Sequence, residues 1–423
     1  MIDIVRAVLG GIAPDWLITL IAYVLIITII LVVAPLNMMM QVWFERRAVA
    51  RMQDRLGPNR VGPAGLLQSI ADGVKMFTKE DIVPRAADRW VHLLAPVVAL
   101  APVMLMFAVI PWARGAVPTE VNIAALFVVA ITSVSALGLM MAGWGSNNKF
   151  ALLGAMRAVA QMVSYEIPAV IMLVAMVLLN GSMSLTRMIE AQAGLPVVGT
   201  LLGGPDLGLG WYVFTPVGLL GFLVFFICVL SEGERTPFDI PEADSEIVAG
   251  YMTEYSGMKF ALFYLAQFVL NFALAMVTAI VFLGGWQGPG VAWLVGMGGV
   301  WETAGGVLSL LYTLLKAWFL FFVMIWLRGA FPRLRVDQLM GFAWKFLLPL
   351  ALVNILSAAL WVALNSWGVE QGLPALLADL SPLVRLLIAF GVTLAINGGA
   401  FLAFAQLNSP PAASPRPAGS VPA

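Results

Sequence analysis

Residues 16–36, WLITLIAYVLIITIILVVAPL, form an apolar run without a charged side chain. A helix needs about 20 such residues to cross a hydrocarbon layer of roughly 30 Å. Similar runs follow near 91–111, 121–142, 153–179, 213–231, 258–284, 307–327, 343–364 and 383–405. The chain is 61% hydrophobic and 11% charged, and a soluble core of this size could not bury so much apolar surface. The sequence therefore predicts an all-α integral membrane protein with nine candidate spans.

The distribution of Lys and Arg predicts the orientation in the membrane. With the loops numbered in chain order, the odd loops hold seventeen of these residues, whereas the N-terminus and the even loops hold four. Because cytoplasmic loops retain Lys and Arg, we expect the odd loops in the cytoplasm and the N-terminus outside. The start, MIDIVRAVLGGIAPDW, lacks the pattern of a removable signal. The formal net charge of zero gives no indication of a nucleic-acid partner.

The cysteine and histidine content limits the chemistry of the chain. Cys228 is the single cysteine and His92 the single histidine. Disulfides and the usual Cys/His sites for metals, haem or iron–sulfur clusters are therefore excluded within this chain. Any redox cofactor is expected in a partner.

The first odd loop contains an amphipathic segment. Its apolar positions recur at three- and four-residue spacing: Leu67, Ile70, Val74 and Phe77. This spacing predicts a helix at about 64–80 that lies at the membrane surface or against a partner. Before it, RLGPNRVGPAG (55–65) is rich in turn-forming Gly and Pro and is expected to end the preceding helix near Leu56. We expect a membrane core at 1–364, an additional transmembrane segment at 365–408 and a disordered tail at 409–423.

Two ionisable residues fall near the middle of predicted spans, Glu166 in the fourth and Lys316 in the seventh. Such groups are costly in a bilayer, so each is expected to face the bundle interior or water. One interpretation is a structural role, as an ion pair or a hydrogen-bonded neutral acid that fixes helix packing. The functional interpretation is a proton-relay acid and base.

The stretch SEGERTPFDIPEADSE (231–246) holds six carboxylates and one cation, Arg235. A solvated acidic loop is the plainest interpretation. The prolines of TPF and IP instead favour a loop that folds back on the protein, and crowded carboxylates tend to retain protons, as a relay requires. A magnesium or calcium site is a further alternative, although the spacing lacks the DxDxDG pattern.

Five segments, in order along the chain, resemble the H-subunit family of bacterial proton-pumping NADH:quinone oxidoreductase, the counterpart of mitochondrial complex I subunit 1. They are WFERR (43–47), RLGPNRVGPAGLLQSIADGVKMFTKE (55–80), ALLGAMRAVAQMVSYEIP (151–168), SEGERTPFDIPEADSEIVAGYMTEYSGMKFALF (231–263) and RGAFPRLRVDQLM (328–340). The resemblance runs from about residue 16 to about residue 364. It implies eight transmembrane helices with a surface amphipathic helix, so the ninth apolar run falls outside the family core.

The resemblance implies a multi-pass protein of the bacterial inner (cytoplasmic) membrane that binds no cofactor itself. With peripheral-arm subunits it would form the chamber that admits ubiquinone or menaquinone, and its acids would couple quinone reduction to proton pumping. FMN and iron–sulfur clusters would reside in partner subunits. The remaining implied partners are membrane-arm subunits and lipid, and the isolated chain is expected to be inactive.

The resemblance also implies roles for individual residues. The quinone-chamber residues would be Arg46, Arg55, Arg235, Phe238 and Asp239. The proton path would comprise Asp72, Glu166, Glu232, Glu242, Asp244, Glu246 and Glu254, with Arg157 and Lys316 as cationic partners. The chain departs from the family at Gln267, where related sequences usually carry a glutamate.

Two alternatives remain at this point. A homologous anchor of a membrane-bound hydrogenase or formate-linked complex would share the fold without necessarily having a quinone site. A stand-alone ion or solute transporter would also explain the spans and the mid-span charges. The transporter alternative predicts activity from the isolated chain.

Overall fold

A computed structural model of the chain describes residues 14–193, 208–240, 249–366 and 382–408, and within these ranges the regular structure is helical. The helices are α1 Asp15–Met52, α2 Gln68–Thr78, α3 Arg89–Val109, α4 Ala124–Gly145, α5 Lys149–Asn180, α6 Leu185–Ala191, α7 Pro216–Glu232, α8 Gly257–Leu283, α9 Val291–Gly296, α10 Val300–Ala330, α11 Val336–Phe342, α12 Leu348–Ser366 and α13 Pro382–Leu407. A π-helical turn, Ala343–Leu347, joins α11 to α12.

Eight of the described helices are long and apolar enough to cross a membrane, with α11 and α12 counted as one. The predicted all-α integral membrane fold is thereby confirmed. The predicted span 213–231 corresponds to α7, which is apolar but has only 17 residues. At 1.5 Å per residue it is about 25 Å long, shorter than the hydrocarbon layer.

Helix α8 forms the centre of the bundle. Its central apolar stretch is 89% buried, against 22% for α13. It packs against α1, α3, α7 and α10. The first turns of α8 lie next to the loop that follows α7, at the centre of the helix bundle. Helix α13 lies at the edge of the bundle.

Small residues allow α3 and α4 to approach closely. A Cβ atom added at Gly138 of α4 would lie 2.5 Å from the backbone nitrogen of Ala99 in α3. Because lipid tails are as apolar as the side chains, helices in a bilayer associate through such close van der Waals packing. Glycine at this position therefore sets the distance between the two helices.

The amphipathic helix forms as α2, within the predicted range of about 64–80. Its Ser69 hydroxyl donates to the carbonyl of Met39 in α1 at 3.0 Å, while Val74 and Phe77 are exposed. Helix α1 ends at Met52, earlier than the predicted Leu56. The next residue, Gln53, no longer has helical dihedral angles. The predicted disordered tail, 409–423, lies outside the described residues.

Candidate functional site

A cavity of about 670 Å³ lies between α1, α2, α8 and α10 and the loop that follows α7. Its volume falls in the range typical of pockets for small molecules. Most of its wall is apolar and comes from α1, α2 and α8. The apolar lining includes Met38, Val42, Met76, Phe77, Phe260, Ala261, Tyr264, Leu265 and Phe268.

The polar end of the cavity is built around a buried carboxylate, Glu45 of α1. It accepts two hydrogen bonds from Arg235, at 2.8 and 2.7 Å, and a third from Arg328 of α10. Arg235 is only 4% exposed and lies over the ring of Phe268, 4.4 Å from its centroid. Glu45, Arg235 and Arg328 form a charged cluster of one carboxylate and two guanidinium groups, and Glu234 adds a second carboxyl group to the same wall.

A second ion pair holds the amphipathic helix against α1. Arg46 bonds to Asp72 at 2.6 Å, and the Gln68 side chain donates to the same carboxylate at 3.1 Å. Burial raises the pKa of Asp72, but the hydrogen bonds from Arg46 and Gln68 outweigh it and hold this pKa below its usual range. Asp72, predicted for the proton path, therefore lies at the cavity wall and stays ionised at neutral pH.

A groove of about 750 Å³ adjoins the cavity and shares Glu45, Arg46 and Arg328 with it. Arg55, predicted for the quinone chamber, lines this groove together with Gly57 and Pro58 of the turn-forming segment 55–65. The apolar cavity therefore leads past the charged cluster of Glu45, Arg235 and Arg328 to the protein surface at the α2 end of the bundle.

The loop after α7 folds back on the protein over its described part, as its prolines predict, since Glu234, Arg235 and Asp239 are buried. Phe238 packs edge-on against Tyr165 at 5.3 Å and does not line the cavity.

Asp239 lies on the same loop and also does not line the cavity. It pairs with Arg333 at 3.0 Å. Burial raises the pKa of Asp239, and Arg333 offsets part of this rise. Asp239 and Phe238 were both predicted for the chamber wall. They instead hold the loop in place through contacts outside the cavity.

A second, smaller cavity of about 30 Å³ lies beside the first. Its lining includes Ser135, Glu232, Glu234 and Gln267, and its volume suits one or two water molecules. Glu234 and Gln267 line both cavities, and Tyr251 donates to Glu234 at 3.1 Å. Glu234 and Gln267 therefore form the wall that the two cavities share.

Glu232 connects the small cavity to α4 and α5. Its carboxyl group interacts with the Thr132 hydroxyl of α4 and with the Glu166 carboxyl of α5. Glu166 is half-buried and accepts a hydrogen bond from Ser133, which is exposed. The structure thus places the two predicted path residues Glu232 and Glu166 within electrostatic range of each other, and the hydrogen bond from Ser133 to Glu166 lies at the outer surface of α4.

Other predicted path residues lie elsewhere. Lys316 is buried and donates all three ammonium hydrogens to the carbonyls of Leu283, Gly285 and Gln287, at 2.6, 2.8 and 2.6 Å. It also lies 4.3 Å from the ring centroid of Trp211. A cation at the carboxyl end of a helix is favourable, so Lys316 caps the far end of α8.

Glu254, a further predicted residue of the proton path, also lies apart from the Glu232–Glu166 pair. Glu254 accepts a hydrogen bond from Asn148 at 2.6 Å, at the start of α5. Arg157 is half-buried on α5. Glu242, Asp244 and Glu246 fall in 241–248, outside the described residues. Within the described ranges no group of three or more His, Cys, Asp or Glu could hold a metal ion.

Sequence reasoning missed three site residues: Glu45, Glu234 and Arg328. Glu45 and Arg235 are 190 positions apart, and Arg328 is 283 positions from Glu45. No local pattern indicates such pairing. Glu234 stands among six carboxylates in one stretch, and nothing in the sequence distinguishes it from its neighbours.

Replacing Glu45 with Gln tests the charged cluster. The change leaves Arg235 and Arg328 without their shared carboxylate, and breaking a buried ion pair costs about 3–5 kcal/mol. We expect the thermal unfolding midpoint of this chain in the solubilised complex to fall by several degrees. Glu302→Gln, at an exposed site in the first turn of α10, is the control and is expected to leave it unchanged. Equal midpoints for the two variants would contradict this account.

Comparison with known proteins identifies the family. A family model described as NADH dehydrogenase matches residues 24–359. A Dehalococcoides mccartyi protein, named as the H subunit of NADH-quinone oxidoreductase, is 40% identical over 395 residues, which are 93% of this chain and 96% of that protein. A protein of the same name from Chlorobaculum tepidum is 45% identical over 325 residues, which are 76% of this chain and 87% of that protein.

The first of these alignments extends beyond the family model. A match that covers 93% of the 423 residues cannot end before α13 begins at Pro382, wherever it starts. The ninth apolar run therefore falls partly inside a region shared with a relative. On the strength of these matches, the chain belongs to the H-subunit family of NADH-quinone oxidoreductases.

Proposed function

We propose that this chain forms part of the quinone chamber of a proton-translocating NADH-quinone oxidoreductase and carries the first section of its acidic route. The observation that carries the proposal is the cavity of about 670 Å³ with apolar walls and one charged end. A quinone has a head with two carbonyl acceptors and a long apolar tail. The two parts of the cavity match these two parts of the ligand.

The charged end offers a donor for the quinone head. Among the described residues, the Arg235 Nη2 atom is buried and has no hydrogen-bond partner, although Nη1 is engaged by Glu45. A buried donor without a partner is costly, and because Arg235 lines the cavity, a turn of its guanidinium group toward the ligand would let a quinone carbonyl satisfy it. Arg235 is thus the residue that we assign to the quinone head.

Narrowing the apolar part of the cavity tests the chamber. Leu265→Trp places an indole at the wall formed by α8. We expect the KM for a short-chain quinone analogue to rise by about tenfold, since a blocked pocket loses the packing of its ligand. The measurement is NADH-dependent quinone reduction in membranes, normalised to NADH oxidation with an artificial acceptor.

The control is Leu315→Trp, at a position that is 66% exposed on α10. This variant introduces the same side chain away from the cavity and should retain the normal KM. If Leu265→Trp also retained it, the quinone would have to bind elsewhere.

The acidic route begins at the wall shared by the two cavities. Because Gln267 cannot titrate, Glu234 is the carboxyl group at this wall that can exchange a proton. From Glu234 the route crosses the small cavity to Glu232, continues to Glu166, and reaches the outer surface of α4 at Ser133. A neighbouring membrane protein that covered this surface would receive the proton.

Glu166→Gln tests this route. The amide keeps the size of the side chain but cannot release a proton, so we expect proton translocation to fall to less than about half, with a parallel loss of quinone reduction. Proton uptake into inverted vesicles and the rate of quinone reduction are measured together. Glu120→Gln, in an exposed loop, is the matched control. Unchanged values of both quantities in Glu166→Gln would remove this residue from the route.

The proposal places the chain in the bacterial cytoplasmic membrane with the α2 end of the bundle in the cytoplasm and the N-terminus outside. Partner subunits would carry FMN and iron–sulfur clusters and would cover the groove beside the cavity. A hydrogenase anchor would share this fold, but the relatives' names support the quinone enzyme. A stand-alone transporter is likewise not what the relatives' names describe.

A further inference from the structure

Helix α13 is attached to the bundle by buried polar side chains. Asn397 donates through Nδ2 to the Asn354 side chain of α12 at 3.1 Å and to the carbonyl of Pro216 at 3.3 Å. It accepts a hydrogen bond from the Ser357 hydroxyl at 2.7 Å. Asn397 is 4% exposed, Asn354 0% and Ser357 1%.

A buried amide inside a membrane protein is costly unless it is hydrogen-bonded. Asn397 meets this condition only in the observed register of α13 against α12 and α7. Most of the outer face of α13 is apolar and exposed, as at Leu394 and Leu402. The helix is therefore a peripheral element with one specific polar attachment.

That attachment reaches the first residue of α7. Asn397 lies well inside α13, and Asn354 well inside α12. The amino-terminal end of α7 thus meets the middle parts of two neighbouring helices instead of their ends. Thr215 caps this end by accepting a hydrogen bond from the backbone of Gly218 at 3.0 Å.

The opposite end of α7 carries the candidate site. Glu232 is its last residue, and Glu234 and Arg235 follow after Gly233. This end is held by two more side-chain amides. Gln161 donates to the Ser231 carbonyl at 2.8 Å, and Asn271 donates to the Gly233 carbonyl at 3.1 Å.

We propose that Asn397 is a positioning residue, which fixes the depth of α7 in the bundle and thereby the placement of Glu232, Glu234 and Arg235. A helix moves as a unit along its axis, so a displacement at Pro216 is transmitted to Glu232. The short α7 cannot be placed by matching its length to the bilayer. The link between the position of α7 and the quinone site rests on the proposed function, whereas the anchoring of α7 by Asn397 does not.

Asn397→Ala in the assembled complex tests the inference. Thr393→Ala is the matched control, because Thr393 is buried on the same helix but its hydroxyl donates only to carbonyls of α13. The natural reporter is Cys228, the single cysteine of the chain, which is 1% exposed and lies one turn before Glu232. Its labelling by N-ethylmaleimide is followed by mass spectrometry of the α7 peptide.

We expect Cys228 labelling to be about fivefold faster in Asn397→Ala than in the natural chain, since loss of the attachment lets α7 open more often. We also expect the quinone KM to rise about threefold with a smaller change in kcat, because the site is displaced by a fraction of an ångström. Thr393→Ala should match the natural chain in both measurements.

If Cys228 in Asn397→Ala is labelled at the same rate as in the natural chain, the inference is overturned. Faster labelling with an unchanged quinone KM would confirm the anchoring of α7 and overturn its link to the site. Labelling requires no quinone, so a failure of the proposed function would not affect it. If Asn397→Ala does not assemble, Ser357→Ala removes one hydrogen bond of the same group, and unchanged labelling in that variant would equally overturn the inference.

Discussion

The buried carboxylate of Glu45, bonded to Arg235 and Arg328, is the constraint on which the candidate site depends. It joins α1, the loop after α7 and α10 at one point. A charge that is removed from water needs a partner at hydrogen-bond distance. The three elements must therefore converge at the α2 end of the bundle, and the cavity is the space that remains between α1 and α8 beneath them.

This arrangement places two environments next to each other. The large cavity is apolar along α1 and α8 and holds charged groups of both signs at its end, whereas the small cavity has apolar walls into which Glu232, Glu234 and Ser135 are set. Glu234 and Gln267 separate them. A change in the charge of a quinone bound beside Arg235 would act across this wall on Glu234, since electrostatic interactions are strong where water is excluded. Coupling in this account is a short-range electrostatic effect within one chain.

Much of the fold could be predicted from the sequence because apolar run length is a local property. Each of the nine predicted spans corresponds to a described helix, and the amphipathic spacing located α2. The predicted span 213–231 begins three residues before α7, because run length alone does not reveal the local start signal, Thr215 as the cap and Pro216 as the first helical residue. The burial of Glu234 and Arg235 agrees with the prolines that bend their loop.

Partner choice could not be predicted for several ionisable residues. Lys316 was expected beside a carboxylate but is bound by three backbone carbonyls, which no sequence pattern reveals. Glu45 stands between aromatic and basic residues whose composition matches an ordinary membrane-surface band. Its role depends on residues that are distant in the chain and meet only in the folded protein.

The proposed function requires a quinone in the cavity between α1 and α8, and we claim that it binds there. Photo-crosslinking of the assembled complex with a photoreactive quinone analogue, mapped by mass spectrometry, tests this claim. We expect labelling in the α1 segment around Met38 and Val42 and in the α8 segment from Ala261 to Phe268, with suppression by excess unmodified quinone. Labelling confined to partner subunits, or to lipid-facing residues without competition, would contradict the claim.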